Sequence, residues 1–323
     1  LEYLFAPMEG ITDAVFRRVH HRMFGGVSRY MIPFVSPTED RRLPPREMRS
    51  ISPEVNRGVP VVPQILTKRP ELFLWLAQEL KDMGYTELNL NTGCPSGTVT
   101  AKGKGAGMLT SPDGLRAFLD AVFSAAPLPV SIKTRVGFAS LDEWPALVDL
   151  LAGYPFSGVI IHPRLRSEFY RGDVHMECMS YAREHLRCPL VLSGNLFDIP
   201  AIQHYAALGL TEHVMLGRGI VSNPALAREA AGGPPLSPSE LSAFHDALYR
   251  EYASMYPVRI VLGKMREITK YLACSTLATE RQRRTMLKAH TEEAYLEAVQ
   301  VLFSAPLRTY PGYMQASPDH IWP

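Results

Sequence analysis

Cysteine is scarce in this chain of 323 residues: there are four, Cys94, Cys178, Cys188 and Cys274, and no two form a CxxC pair. That excludes a zinc ribbon and a disulfide-stapled framework. A reducing, cytoplasmic setting without a bound metal is expected. Long apolar runs are missing too. None approaches the roughly 18 residues that a membrane span needs, so no membrane association is expected. The opening LEYLFAPMEG has no basic segment leading into an apolar stretch, and no signal peptide is expected. Neither sign of charge dominates. A formal net charge of +2 does not mark a nucleic-acid binder, so any such contact must come from a local patch. No GxGxxG follows the first apolar run, and no GxxxxGK followed by Ser or Thr occurs, so both common nucleotide fingerprints are absent.

What is present is ordinary globular composition, 46% hydrophobic and 20% charged, in a length that suits one large domain and a smaller one. Short β-rich runs recur: Tyr3–Met8, Arg29–Val35, Val61–Leu66, Glu87–Asn91, Val130–Val136, Gly158–Arg164, Pro189–Gly194 and His213–Arg218. Most are continuously apolar in the middle, as parallel strands buried on both faces are. Stretches with apolar residues at helical spacing lie between them, including Leu72–Met83, Asp113–Phe123 and Ala201–Leu208. The alternation predicts a (β/α)8 TIM barrel. An open doubly wound sheet fits less well, because it would leave two edges. Composition changes at Ala231–Ser239 (AGGPPLSPS), which reads as a linker. Beyond it, Glu240–Tyr256, Arg259–Ala273 and Thr291–Phe303 read as helices, and Ala305–Pro323 as an irregular tail. The expected organisation is a catalytic barrel over 1–235 and a small helical domain over 236–323.

Barrel enzymes carry their chemistry at the C-terminal ends of the strands. Those ends hold Pro7, Met8 and Glu9; Gln64; Asn89, Asn91 and Cys94; Lys133 and Arg135; His162 and Arg164; Ser193, Gly194 and Asn195; and Gly217, Arg218 and Gly219. A packed interior would prefer Val, Ile and Leu, so polar groups at nearly every strand end point to a site. Lys133 aimed into a barrel must be paired or hold a ligand. It reads as a buried ion pair, a Schiff-base nucleophile, or a charge holding an electron-rich ring or phosphate. The glycine turns after the last two strands suit a phosphate held by backbone N–H groups, with Arg218 adding charge. Lys102–Gly107 (KGKGAG) reads as a tight turn packed over the site. A free cysteine is usually a small buried hydrophobe. Cys94, between Gly93 and Pro95 at a strand end, instead suits a thiol that delivers a proton, or a nucleophile if a base such as His162 comes near. Lys264, Arg266, Lys270 and Tyr271 cluster in GKMREITKYL, with Arg266, Lys270 and Tyr271 near one face. Arg281, Arg283, Arg284 and Lys288 form a second basic cluster. Both read as a solvated surface or as a phosphate-contacting face.

Taken together, LNLNTGCP (88–95) followed by KGAGML (104–109), with APMEGITD (6–13), Lys133-x-Arg135-x-Gly137, His162-Pro163-Arg164 and Gly217-Arg218-Gly219, resembles the tRNA-dihydrouridine synthases. The resemblance runs from Ala6 to about Leu272. It implies an FMN-containing barrel with a C-terminal helical domain that reduces a D-loop uridine of tRNA, with NADPH as electron source. By position, Pro7, Met8 and Glu9 line the flavin, Gln64 and Lys133 touch its ring, and His162 lies beside it. Ser193, Gly194, Asn195, Gly217 and Arg218 hold its phosphate. Asn91 faces the uracil and Cys94 is the general acid, protonating C5 while hydride reaches C6. Arg135, Arg164, Tyr170, Arg171, Lys264, Arg266, Lys270 and Tyr271 are expected to contact tRNA, whose target base leaves the stack. A monomer is expected. The chain departs from the family in Gly97, where a Lys is frequent, in Ser193-Gly194-Asn195 for Asn-Gly-acid, and in Leu165 for Thr. Rival readings are a reductase of a free pyrimidine or another small molecule, a Lys133 Schiff-base lyase, and a non-catalytic tRNA-binding protein.

Overall fold

The structure is a computed structural model that describes residues 1–308. The rest of the expected irregular tail, 309–323, lies outside the described residues. Nine parallel strands form one sheet: β1 (Glu2–Phe5), β2 (Arg29–Met31), β3 (Val61–Val62), β4 (Gln64–Ile65), β5 (Leu88–Thr92), β6 (Val130–Gly137), β7 (Val159–Leu165), β8 (Leu190–Ser193) and β9 (His213–Leu216). Their order is β3-β2-β1-β9-β8-β7-β6-β5-β4. The third expected strand is two strands, because Pro63 has no N–H with which to continue a ladder. Its first half pairs with β2 (Tyr30 with Val61) and its second with β5 (Gln64 with Asn89). One stretch of chain therefore joins both ends of the sheet, a bridge from Val35 to Ile65 adds to the seam, and the sheet is a nearly closed barrel.

Two compact units divide the chain. The first comprises Leu1–Pro7, Ser28–Asn195 and Leu208–Met215; the second comprises Met8–Val27, Leu196–Ala207 and the chain from Leu216 onward. In the first, alternate residues of the strands fill one layer of the barrel: Leu4, Ala6, Met31, Val62, Ile160, Val191 and Met215, all buried. Full burial of each large apolar side chain contributes about 1.5–3 kcal/mol. The helix Pro70–Asp82 starts on a proline, whose missing N–H costs nothing in a first turn. It buries Leu72, Phe73, Leu76, Ala77 and Leu80 on one face. Pro112–Ala125, capped by Ser111, buries Leu115, Phe118, Leu119 and Val122, and Phe118 meets Phe73 edge to face at 5.8 Å.

In the second unit, Pro238–Ala253 opens with a capping box between Ser237 and Glu240. Val258–Leu272 and Glu292–Phe303 follow the expected helices closely. A further helix, Glu280–Leu287, carries Arg281, Arg283 and Arg284 of the second basic cluster, with Lys288 at its C-cap. It buries only Arg283 and Met286, so its sequence has little apolar periodicity to reveal it. Asp13 caps the helix Ala14–Met23 and accepts from Tyr252 at 2.7 Å and Lys264 at 2.6 Å.

Candidate active site

A directed chain of side-chain hydrogen bonds crosses the barrel interior from β6 to the Cys94 loop. Ser131 Oγ donates to the Leu88 carbonyl (3.2 Å) and accepts from Asn89 Nδ2 (2.9 Å). Asn89 Oδ1 accepts from Gln64 Nε2 (2.7 Å), and Gln64 Oε1 accepts from Asn91 Nδ2 (2.8 Å). Asn91 Oδ1 ends the chain by accepting from the backbone N–H groups of Gly93 (3.0 Å) and Cys94 (2.9 Å). A backbone carbonyl at one end and backbone N–H groups at the other leave no ambiguity about which amide atom is which. All four polar side chains are buried, where an unmade hydrogen bond is costly. The two asparagines face inward together because alternate residues of a strand share a face.

This relay holds the backbone on which Cys94 sits. The KGKGAG segment packs against the same loop. Ala106 N–H donates to the Cys94 carbonyl at 3.1 Å. Gly105 has φ +57, and a Cβ there would lie 3.0 Å from the Cys94 Cβ, the Cys94 carbonyl oxygen and Val99 Cγ1. Only glycine accepts both that backbone and that proximity.

Register places Lys133 beside Asn91 and Arg135 beside His162. Burial pushes the Lys133 ammonium down to about 8; Arg135 pushes the same way and Cys94 opposes. Among the described residues no acidic side chain pairs with Lys133, so the ion-pair reading has no support. Arg135 is buried, donating from Nε to the Gly93 carbonyl (3.0 Å) and from Nη1 to that of Leu165 (2.8 Å). Burial lowers it to about 10, Tyr170 opposes and Arg164 reinforces. Its guanidinium sits over the Tyr170 ring at 5.3 Å. Tyr170 itself is 47% exposed.

Arg164 is 0% exposed. Its guanidinium donates to the carbonyls of Arg171 (3.0 Å) and Gly172, to Asn195 Oδ1 (2.8 Å) and, through Nη1, to His162 Nε2 (3.1 Å). An outward contact with RNA is therefore not what these donors make. Ser193 is buried, and Gly194 (φ +122) packs so closely that a Cβ would lie 2.8 Å from His162 Cδ2. Asn195 takes φ +54, a conformation that asparagine tolerates better than most residues.

The sequence reading missed two contributors, Ser131 and Arg166. Asn89 was visible as a strand-end residue, but Ser131 was not, since a serine early in a strand carries no signal. Arg166 donates to Thr100 Oγ1 at 3.2 Å and lies over the rings of Phe138 and Phe169, tying the loop after β7 to the segment after Cys94.

Pro7 lies in the first unit; Met8, Glu9, Gly217, Arg218, Lys264, Arg266, Lys270 and Tyr271 belong to the second. There, Met8 N–H donates to Thr12 Oγ1 at 2.9 Å. Gly217 precedes a short helix, Arg218–Ser222, and the Arg218 guanidinium lies over the Phe197 ring at 4.7 Å. Lys264 is engaged by Asp13. Arg266 donates to the carbonyls of Leu287 and Ala289 at 3.3 and 3.4 Å. Lys270 pairs with Glu267 at 3.5 Å and lies over the Tyr271 ring. Arg281, Arg284 and Lys288 are exposed.

The chain matches the family model for dihydrouridine synthases over residues 4–305. It is 28% identical over 281 residues to a tRNA-dihydrouridine(16) synthase of Pseudomonas putida, covering 83% of this chain and 86% of that protein. It is 31% identical over 264 residues to a probable tRNA-dihydrouridine synthase of Staphylococcus aureus, covering 77% and 78%. Among solved structures it is similar to morphinone reductase, with a TM-score of 0.52 and 14% identity over 73% of this chain and 87% of that one, a likeness of fold alone. With the family match spanning nearly the whole chain, the protein belongs to the dihydrouridine synthase family.

Proposed function

We propose that the protein reduces a uridine of tRNA to 5,6-dihydrouridine, using bound FMN with NADPH as electron donor. The observation that carries this reading is the clamped Cys94 loop at the same strand ends as Lys133, Arg135 and His162, in a chain of this family. The residues suit the cofactor. Arg135 acts electrostatically on Lys133 and Arg164 on Arg135, and no carboxylate figures among the groups that act on Lys133 or Arg135. Such a cluster favours an electron-rich ligand. Lys133 and the second N–H of Gln64 would hold the ring, with Pro7, Met8, Glu9 and His162 around it. The backbone of Ser193, Gly194 and Asn195, with Gly217 and Arg218, would hold the phosphate.

The hydride for C6 of uracil would be supplied by FMN, when bound and reduced by NADPH. Cys94 gives its thiol proton to C5, and solvent later returns a proton to the thiolate. The Asn91 cap, the Arg135 bond to Gly93 and the packed Gly105 hold the thiol in one place, and orientation of this kind lowers a barrier by several kcal/mol. The second N–H of Asn91 meets a uracil carbonyl. Tyr170 and Arg171, with the exposed Arg281, Arg284 and Lys288 beside the partly engaged Lys264, Arg266, Lys270 and Tyr271, contact the RNA. Position 16, for which the P. putida relative is named, is the first place to look for the product.

A Schiff base on Lys133 is the second reading, favoured by the same lowered pKa. The visible spectrum of the purified protein separates the two. Flavin bands, with FMN released on denaturation, support the reductase. A colourless protein that takes up no FMN, and that borohydride traps with a carbonyl compound, supports the lyase.

A further inference from the structure

His162 has two ring nitrogens and three possible protonation states. One contact decides among them. The Arg164 guanidinium approaches Nε2 at 3.1 Å in a buried setting. Arginine is a donor only and keeps its charge in a protein. Nε2 must therefore offer a lone pair. The imidazolium and the Nε2–H tautomer would each set N–H against N–H at this contact. What remains is the neutral ring with its proton on Nδ1.

We propose that Arg164 is a positioning residue that fixes His162 as the neutral Nδ1–H tautomer, making His162 a hydrogen-bond donor in the site and removing it as a base for Cys94. The surroundings agree. Arg164 is aimed by three further acceptors, the carbonyls of Arg171 and Gly172 and the Asn195 side chain. From the end of β8, Gly194 packs on the edge of the ring that carries Nε2. From β6, Arg135 adds positive charge near Arg164. From the loop after β7, Tyr170 stands with its ring 6.0 Å from that of His162. The two guanidinium groups among these neighbours oppose an imidazolium, and none of the neighbours named is a carboxylate. A ring whose Nε2 lone pair is occupied and whose Nδ1 is already protonated takes no proton from a thiol. Cys94 then cannot pass its proton to this ring, which favours the acid over a His162-activated nucleophile. That consequence rests on the proposed reduction; the tautomer does not.

The test is a two-bond proton–nitrogen NMR spectrum of the full chain labelled with nitrogen-15 histidine, at neutral pH without cofactor or RNA. His162→Asn identifies the signal among the ten histidines. The expected pattern has a protonated Nδ1 and an unprotonated Nε2. Arg164→Lys, which keeps a donor, should retain it, and Arg164→Met should lose it in favour of a mixture of tautomers. An Nε2–H ring or an imidazolium in the unmodified protein overturns the proposal, and so does an unchanged pattern in Arg164→Met. The unmodified protein decides the question even if Arg164→Met does not fold. A colourless protein would remove the reductase reading and leave this result standing.

Discussion

Replacing Asn91 tests whether the buried relay holds the Cys94 loop. Asn91→Ala removes three hydrogen bonds, one to Gln64 and one each from the N–H groups of Gly93 and Cys94. At about 1 kcal/mol each, with buried partners left unsatisfied, the expected loss is about 3 kcal/mol. That is a large fraction of the roughly 5–15 kcal/mol that holds a typical domain folded, but not all of it. Asn91→Asp should behave differently. A carboxylate still accepts from Gly93 and Cys94, and the relay can reverse as a unit. Gln64 then donates to Asp, Asn89 donates to Gln64, and Ser131 turns to donate to Asn89. The reversal gives up the Ser131 bond to the Leu88 carbonyl, so about 1 kcal/mol should be lost. Urea unfolding followed through Trp75 and Trp144, both in the first unit, measures both. Activity should fall about a hundredfold in Asn91→Ala, the penalty typical of a misplaced reactive group. Equal stability losses in the two variants, or a loss below about 1 kcal/mol in Asn91→Ala with full activity, would refute the relay as the support of the thiol.

Other outcomes follow from the same geometry. Lys133 titrates at about 8 in the folded protein against 10.5 ordinarily; the unfolded chain holds that proton over a range where the folded chain has lost it, so stability contributed at this site rises as pH climbs from 8 to 10.5. Lys133→Met should therefore stabilise the cofactor-free protein by up to about 3 kcal/mol at pH 7, a benefit that disappears above pH 10.5, while abolishing FMN retention. Gly105→Ala meets both a positive φ and the Cys94 contacts; it should cost about 1–3 kcal/mol in thermal unfolding and slow alkylation of Cys94 or product formation. Charge reversal at Arg281 and Lys288 should weaken tRNA binding and flatten its salt dependence, read by filter binding across a salt series, while leaving flavin reduction by NADPH unchanged.

Much of the barrel was legible because buried parallel strands such as VSIKTRV and GVIIHPR are short apolar runs broken by polar ends. The split at Pro63 was legible in principle, since proline cannot donate, but a run of six residues read as one strand. The helix Glu280–Leu287 was not, because its surface is charged almost all round. The polar strand ends announced a site, and family motifs supplied their expected roles. Their partners could not be read. That Gln64 lies between Asn89 and Asn91, or that Arg164 turns inward to His162 and Asn195, depends on register across β4, β5 and β6 and on the path of the loop after β7. Arginines in HPRLRSEFYR look alike in sequence; burial separates Arg164, engaged within the protein, from Arg171 beside the exposed Tyr170.

The measurement closest to the central claim is the dihydrouridine content of an unmodified tRNA transcript after incubation with the protein, FMN and NADPH, located by nuclease mapping and mass spectrometry. The account predicts a D-loop uridine gaining two hydrogens with the unmodified protein and no gain with Cys94→Ala. An unmodified transcript after treatment with a protein that binds FMN and accepts electrons from NADPH, or full product with Cys94→Ala, would contradict it.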